Sequence, residues 1–279
     1  MDKTNEFRLF EIKNRIKQAI QGNIMYALSK DGFFDMAALH GDKARRLQYD
    51  LEGFSGHLEF SLFKSDPDFK IDSLLPSIER ELADNGLEFK VEVIDKPYDF
   101  KKSVVLKGNT RQVFMNMFPG DKIPKSISDA DTVNVRFEMN YDPPMFAGYE
   151  KKTCLYPSPY EITVYDKPSL FAEKIDHTIF RAWMGRVRGR DLYDYVFYLI
   201  KKVPYNHKHL VARLLKFKYV EAKEDMTLDE VKANLGYRFR EINYQEAKRD
   251  LLPFIENPQE LDVWSVDYFL SITQWLNAQ

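Results

Sequence analysis

The feature that most constrains the fold of this 279-residue chain is a change in hydrophobic periodicity near residue 166. Before this point, short segments that alternate apolar and polar residues are mixed with helical stripes, and after it almost every segment repeats at helical spacing. The predicted breaks in the helical part lie at 185–189, Pro204, 234–236 and 253–258. We therefore predict an α+β protein, with a mixed α/β domain over 1–166 that begins with a helix and a helical bundle domain over 167–279.

Periodicity also predicts the elements of the first domain. Apolar residues at helical spacing indicate helices over 6–29, 43–49 and 71–82, and the Asn85-Gly86 pair is a typical helix end. Residues 33–39 fit either a strand or the end of a helix. Alternation of apolar and polar residues indicates the strands, which are predicted at 57–63, 89–93, 102–106, 132–139 and 161–165.

Composition excludes several classes of protein. The chain has 41 basic and 43 acidic residues, so a globally basic nucleic-acid binder is excluded, although a local basic surface is not. The single cysteine, Cys154, excludes an intramolecular disulfide framework and a cysteine-rich zinc site. No apolar run reaches the roughly 18 residues of a membrane span. We expect a cytoplasmic protein with no membrane partner.

The first group of residues with chemical potential combines a glycine turn with acids on strands. Gly41, between a short apolar segment and a helical one, would let phosphate oxygens approach the backbone amides of a helix N-terminus. Glu59 on the next strand and Glu138 on a strand predicted to be its neighbour could hold Mg²⁺ against those phosphates. The alternative is a loop glycine beside acids that face solvent on an edge strand.

The second group lies in the helical part. Asp191 and Asp194 are three residues apart, so they share one face of a helix, and Lys174 precedes them on another. Lys174 could reach a triphosphate as a point charge. The alternative is a structural ion pair that joins two helices.

Four motifs in this order resemble the AbiE-type toxin nucleotidyltransferases of type IV toxin–antitoxin systems. His40–Arg46 and Gly53–Phe60 resemble the family's glycine turn and its Asp-x-Asp strand, with the same spacing. Val133–Asn140 resembles the strand that carries the third acid. Ala172–Lys174 and Arg190–Asp194 resemble the later motifs. The resemblance implies a polymerase-β-like nucleotidyltransferase domain with a mixed sheet, followed by a helical bundle.

The resemblance also implies an activity and its residues. Family chemistry uses Mg²⁺ and a nucleoside triphosphate, whose nucleotide is transferred to an RNA, with tRNA as a candidate, or to a protein, and a cognate antitoxin is the expected partner. The bundle is expected to supply Lys174, Asp191 and Asp194 to a cleft between the two domains. The implied metal ligands are Glu59 and Glu138, the implied nucleotide-binding residues are Gly41, Asp42, Lys43 and Lys174, and the implied catalytic residues are His57, Glu59, Lys174, Asp191 and Asp194.

Three positions depart from the family pattern. Asp42 replaces the second glycine of the turn, Lys43 replaces a hydroxyl residue, and His57 replaces the first acid of the pair. Asp42 would repel phosphates, an effect that Lys43 could partly offset, and imidazole is a poor ligand for Mg²⁺. His57 could instead act as a hydrogen-bond donor or a base. The alternative function is a catalytically inactive protein of this fold that binds nucleotide, RNA or a partner.

A basic stretch is a further candidate for RNA binding. Residues 181–218 contain ten basic and two acidic residues, with four tyrosines among them. Such a surface could receive RNA phosphates and a stacked base, and the alternative is a set of solvated helix faces with packed tyrosines. The arginines proposed to contact nucleic acid are Arg181, Arg186, Arg188 and Arg190, and the tyrosines are Tyr193, Tyr195, Tyr198 and Tyr205.

Overall fold

The chain forms two compact units in a computed structural model. Unit 1 comprises Met1–Pro143 and Tyr149–Tyr165, and unit 2 comprises Pro144–Gly148 and Asp166–Gln279. The domain boundary that we predict at residue 166 stays a prediction. The structure describes residues 3–51, 55–95, 101–120, 122–125, 127–180, 188–217, 223, 225–255 and 257–279.

Unit 1 contains a seven-stranded mixed sheet. The strand order is β3-β4-β5-β2-β1-β7-β6, in which β2 pairs with β5 and β1 pairs with β7 in parallel, and the other neighbours are antiparallel. The strands are β1 (Ala37–His40), β2 (Leu58–Leu62), β3 (Lys90–Asp95), β4 (Lys101–Asn109), β5 (Thr132–Asn140), β6 (Tyr149–Cys154) and β7 (Tyr160–Tyr165). The helices are α1 (Lys3–Lys30), α2 (Gly41–Gln48), α3 (Leu75–Asp84) and α4 (Thr110–Met117), with 3₁₀ turns at Phe33–Asp35 and Ile71–Leu74.

The core of unit 1 lies between α1 and the sheet. Ile16, Ile20 and Ile24 recur every four residues and are fully buried, so one stripe of α1 faces the core. The central strands contribute Phe60 and Phe137, which are fully buried with ring centroids 6.2 Å apart. This packing fixes β2 beside β5, the two strands on which the candidate acids lie.

In the described part of unit 2, every named element is a helix or a 3₁₀ turn, beside one isolated β-bridge between Tyr205 and Ala278. Its core is rich in buried aromatic rings, among which Phe171 stacks on Tyr198 with centroids 4.8 Å apart. The helices are α5 (Lys167–Phe180), α6 (Gly189–Ile200), α7 (His207–Phe217), α8 (Leu228–Glu241), α9 (Tyr244–Leu251) and α10 (Val266–Thr273), with 3₁₀ turns at Leu252–Phe254 and Pro258–Leu261. The predicted α+β class, a mixed sheet followed by helices, is confirmed.

One predicted helix break is wrong. Helix α8 runs through Asn234 and Gly236 without interruption. The Asn234 side chain donates to the Glu230 carbonyl one turn earlier, and a Cβ at Gly236 would lie 3.2 Å from Leu270 Cδ2. The glycine therefore allows close approach of another helix rather than ending its own. The predicted break at 185–189 lies largely outside the described residues.

Across the part of the chain that the structure describes, none of the helices has the length and apolar character needed to cross a lipid bilayer.

Candidate functional site

The glycine turn of unit 1 lies where β1 ends and α2 begins. Gly41 has φ of +69°, a left-handed conformation that side chains disfavour. A Cβ built at this position would overlap Oε2 of Glu59. The Glu59 carboxylate therefore lies directly against the Cα of Gly41, and glycine is required both by the backbone and by this contact.

The two candidate acids lie side by side on parallel strands. Glu59 of β2 is in direct register with Glu138 of β5. His57 immediately precedes β2, two residues from Glu59, and its Nε2 lies 3.8 Å from Glu59 Oε1. One potential ligand atom from each of His57, Glu59 and Glu138 lies within 4.8 Å of the others. The sequence prediction that Glu138 stands on the strand beside Glu59 matches this arrangement.

Each member of this cluster has an electrostatic environment that affects ligand binding. Arg136 Nη2 lies 2.6 Å from Glu138 Oε1 and also donates to Ser103 Oγ at 2.9 Å. The Glu59 carboxylate raises the pKa of His57 above its ordinary value, because it stabilises the imidazolium form. A narrow cleft at the two glutamates is lined by His40, Glu59, Phe60, Lys101, Glu138 and Asn140.

Asp42, the unexpected acid of the turn, is paired on its own helix. Arg45 Nη2 lies 2.6 Å from Asp42 Oδ1, and Arg46 Nε lies 3.2 Å from Oδ2. These partners are one turn along α2, where side chains three and four residues apart meet. The cations that offset Asp42 are therefore these two arginines, whereas we expected Lys43, whose pKa is lowered by burial.

In unit 2, the second predicted group forms an ion-paired cluster. Lys174 Nζ of α5 lies 2.7 Å from Asp194 Oδ2 and 3.8 Å from Asp191 Oδ1, both on α6. The two aspartates are buried, at 4% and 6% exposure. Lys174 and the two aspartates therefore form the ion pair between two helices that the sequence analysis gave as the structural alternative. The predicted catalytic and nucleotide-binding roles of Lys174, Asp191 and Asp194 stay predictions.

An adjacent buried network was missed by sequence reasoning. Arg213 of α7 donates to Asp176 Oδ2 through Nε at 2.9 Å and Nη2 at 2.7 Å, and to Glu173 Oε1 through Nη1 at 3.1 Å. All three side chains are buried. Arg213 is one of the ten basic residues counted over 181–218. Because its side chain is buried, it does not belong to a basic surface. The i,i+3 spacing of the two acids was the available signal, but their partner is 37 and 40 residues away.

A half-buried histidine lies in the same part of unit 2. Burial lowers the pKa of His177 to about 4, against an opposing effect of Asp191, which raises it. The Nδ1 atom of His177 has no hydrogen-bond partner among the described residues. His177 is therefore neutral at pH 7.

The basic stretch is only partly a solvent-facing surface. Tyr195, Tyr198 and Tyr205 are fully buried, so the interpretation of these three as stacking platforms for bases is wrong. Arg188 Nε lies 3.7 Å from Asp191 Oδ2, and the Arg190 guanidinium lies 4.8 Å from the centre of the Phe254 ring.

Four arginines of the basic stretch were proposed to contact nucleic acid, and the structure describes only two of them. Arg181 and Arg186 lie outside the described residues. Nucleic-acid binding by Arg188 and Arg190 stays a prediction.

Comparison with known proteins now assigns the chain. Residues 23–271 match the model of the family described as nucleotidyl transferase AbiEii toxin, type IV TA system. A protein described as a "putative nucleotidyltransferase" from H. pylori is 16% identical, with 92% of this chain and 93% of the other covered and a TM-score of 0.46. The protein JHP933 from Helicobacter pylori is also 16% identical, with 92% and 90% covered and a TM-score of 0.45. No curated protein sequence matches. The match over 23–271 confirms the resemblance: the chain belongs to the AbiEii nucleotidyl transferase toxin family.

Proposed function

We propose that this protein transfers a nucleotide from a nucleoside triphosphate to an RNA or protein acceptor, with tRNA as the first acceptor to test. The observation that supports this most is the direct register of Glu59 and Glu138 on parallel strands, beside a glycine turn that opens α2. Membership of the family implies a divalent metal, a nucleoside triphosphate and a cognate antitoxin. We place the activity in the cytoplasm of a bacterium, where these substrates are available.

The cluster fits a divalent cation. Two carboxylates and an imidazole supply oxygen and nitrogen ligands within 4.8 Å of one another, and ligands of one ion bound at about 2.1–2.3 Å lie about 3–4.5 Å apart. Glu59, Glu138 and His57 would hold this ion. When bound, the ion supplies positive charge that offsets the triphosphate and lowers the pKa of the acceptor hydroxyl.

The start of α2 is suited to bind the phosphates. Gly41 presents a turn without a side chain, and the backbone amides of the first turn of α2 carry the partial positive charge of a helix N-terminus. Asp42 with Arg45 and Arg46 has a combined charge of +1, so the acid does not make this helix end repulsive to an anion. Binding here orients the α-phosphorus for attack: the acceptor oxygen bonds to phosphorus, its proton passes to solvent, and the bond to pyrophosphate breaks.

The transfer reaction can be tested with triphosphates labelled on either the α- or the γ-phosphate, each incubated with Mg²⁺ or Mn²⁺, total tRNA and purified protein. We expect the α-label, but not the γ-label, to appear in the acceptor, which distinguishes nucleotidyl from phosphoryl transfer. Glu59→Gln and Glu138→Gln should each lower the rate about 100-fold, because each removes a charged ligand.

The matched control is Glu161→Gln. Glu161 lies on β7 of the same sheet, where it is exposed and 3.4 Å from Lys151 Nζ. We expect a rate within about twofold of the parent protein, because a surface ion pair contributes little. Triphosphate or tRNA binding without incorporation by the parent protein would contradict transfer and favour the inactive binding protein.

A further inference from the structure

The imidazole is the one nitrogen donor among the three groups of the metal cluster. His57 and the two glutamates come within 4.8 Å of one another, and His57 Nε2 is 3.8 Å from Glu59 Oε1. The ring nitrogen therefore lies beside a carboxylate that the proposed ion requires. We propose that His57 is itself a metal ligand and that it makes the site prefer first-row transition ions over Mg²⁺, with Mn²⁺, the weakest nitrogen binder of that series, as the paramagnetic probe.

Donor chemistry supports this preference. Mg²⁺ is a hard cation that takes oxygen ligands and keeps several of its waters, whereas imidazole suits transition ions. Two carboxylates and one neutral imidazole carry a charge of −2, one less negative than three carboxylates would. Mg²⁺, which is held almost entirely by charge, therefore loses more from the histidine than a transition ion, which gains a bond to nitrogen.

The neighbouring cation strengthens the same discrimination. Arg136 Nη2 lies 2.6 Å from Glu138 Oε1, so an incoming ion must share this carboxylate with a guanidinium. A carboxylate has two oxygens and can accept from Arg136 on one while it ligates through the other. Arg136 nevertheless lowers the electrostatic attraction for any divalent ion, which leaves the nitrogen ligand as the larger source of selectivity.

The inference rests on the proposed function, because the same two glutamates hold the ion. Its test is binding to the full chain without any substrate. Free Mn²⁺ is measured by electron paramagnetic resonance during a titration, and Mg²⁺ is then added as a competitor. We expect Mn²⁺ to bind at least about tenfold more tightly than Mg²⁺.

Substitution of His57 separates ligation from a structural role. His57→Asp replaces nitrogen with oxygen and adds a charge, so we expect the Mn²⁺ to Mg²⁺ affinity ratio to fall about tenfold while Mg²⁺ binding tightens. His57→Ala should weaken Mn²⁺ about 10–100-fold without tightening Mg²⁺. A merely structural histidine would lose both ions in both variants, and that result overturns the proposal.

A spectroscopic signature provides a second readout. Pulsed electron paramagnetic resonance of bound Mn²⁺ should show coupling to a nitrogen nucleus in the parent protein and none in His57→Asp. Absence of nitrogen coupling in the parent protein would overturn the proposal even if nucleotide transfer is observed. Nitrogen coupling with the expected selectivity, but no transfer of nucleotide, would support the metal assignment and refute the proposed function.

Discussion

Replacement of Gly41 by alanine should damage stability and metal binding together. The backbone at Gly41 has φ of +69°, and this left-handed conformation costs a residue with a Cβ about 1–2 kcal/mol. The new Cβ would also overlap Glu59 Oε2, so the carboxylate must leave its position. A side chain forced away from its preferred rotamer costs about 0.5–1.5 kcal/mol. Gly41→Ala should therefore lower the free energy of unfolding by about 1.5–3.5 kcal/mol.

Gly32 provides a matched control in the same unit. It has the same φ of +69°, but its Cβ would meet Asp35 Oδ2 at 3.5 Å, an ordinary contact. Gly32→Ala should cost only the backbone component of about 1–2 kcal/mol. Its Mn²⁺ affinity should stay within about twofold of the parent protein, whereas Gly41→Ala should weaken Mn²⁺ about tenfold or more by moving a ligand.

A double-mutant cycle isolates the contact between Gly41 and Glu59. With Glu59→Ala in place, a Cβ at position 41 would have the Cβ of residue 59 at 3.5 Å as its neighbour, so the steric part of the cost disappears. Urea denaturation followed by circular dichroism should then show a coupling energy of about 0.5–1.5 kcal/mol. Equal effects of Gly41→Ala and Gly32→Ala, with no coupling to Glu59, would refute the reasoning.

Three further predictions concern unit 2 and are checked by thermal or urea unfolding. Arg213→Met should destabilise by about 3–5 kcal/mol because two buried carboxylates lose their cation, whereas the matched surface change Arg190→Met should cost under about 1 kcal/mol; similar losses would contradict the burial of the network. Lys174→Met should likewise cost about 3–5 kcal/mol by leaving Asp194 buried without its ammonium partner, and a neutral effect would contradict the ion pair. The pKa of His177 is about 4 in the folded protein, below the ordinary value of 6.5. As pH drops, the unfolded chain therefore takes up a proton before the folded protein does. The free energy of unfolding should fall between about pH 6.5 and pH 4, by about 2 kcal/mol at pH 5. His177→Gln should remove that part of the pH dependence, and an unchanged profile would contradict it.

Local sequence signals were sufficient to place the turn and the acids of the candidate site on their elements. The Gly41 turn was predictable because this glycine lies between a short apolar segment and a segment with helical spacing. The structure has the junction of β1 and α2 at this point. Glu138 was predictable because β5 alternates apolar and polar residues over its length, which fixes the face on which this acid lies. The register of Glu59 with Glu138 then follows from strand pairing and not from the sequence alone.

Sequence reasoning missed two elements of unit 1, one of which has no apolar face. Strand β6 was not predicted because it is an edge strand whose residues are mostly exposed, with Glu150, Lys151 and Lys152 in succession. Helix α4 was also missed, although its buried residues Thr110, Val113 and Phe114 recur at helical spacing and Asn109 caps it by accepting from the Gln112 amide. Its sequence carried both signals, and they were overlooked.

Partner choice across helices was the other limit. Arg213 reads as one of many surface cations, yet it is buried against two acids of α5. For Tyr195 and Tyr198 the sequence left base stacking and packing as alternatives, and the structure places both in the core. In each case the sequence places the residue on a helix, but packing of that helix against others decides which face is buried.

The most direct test of the account is the position of a metal in crystals soaked with Mn²⁺, located by anomalous scattering at the manganese edge. We expect one strong peak within bonding distance of the Glu59 and Glu138 carboxylates and of a ring nitrogen of His57. An empty cluster under saturating Mn²⁺, or an ion held by other residues while these three stay unligated, would contradict the account.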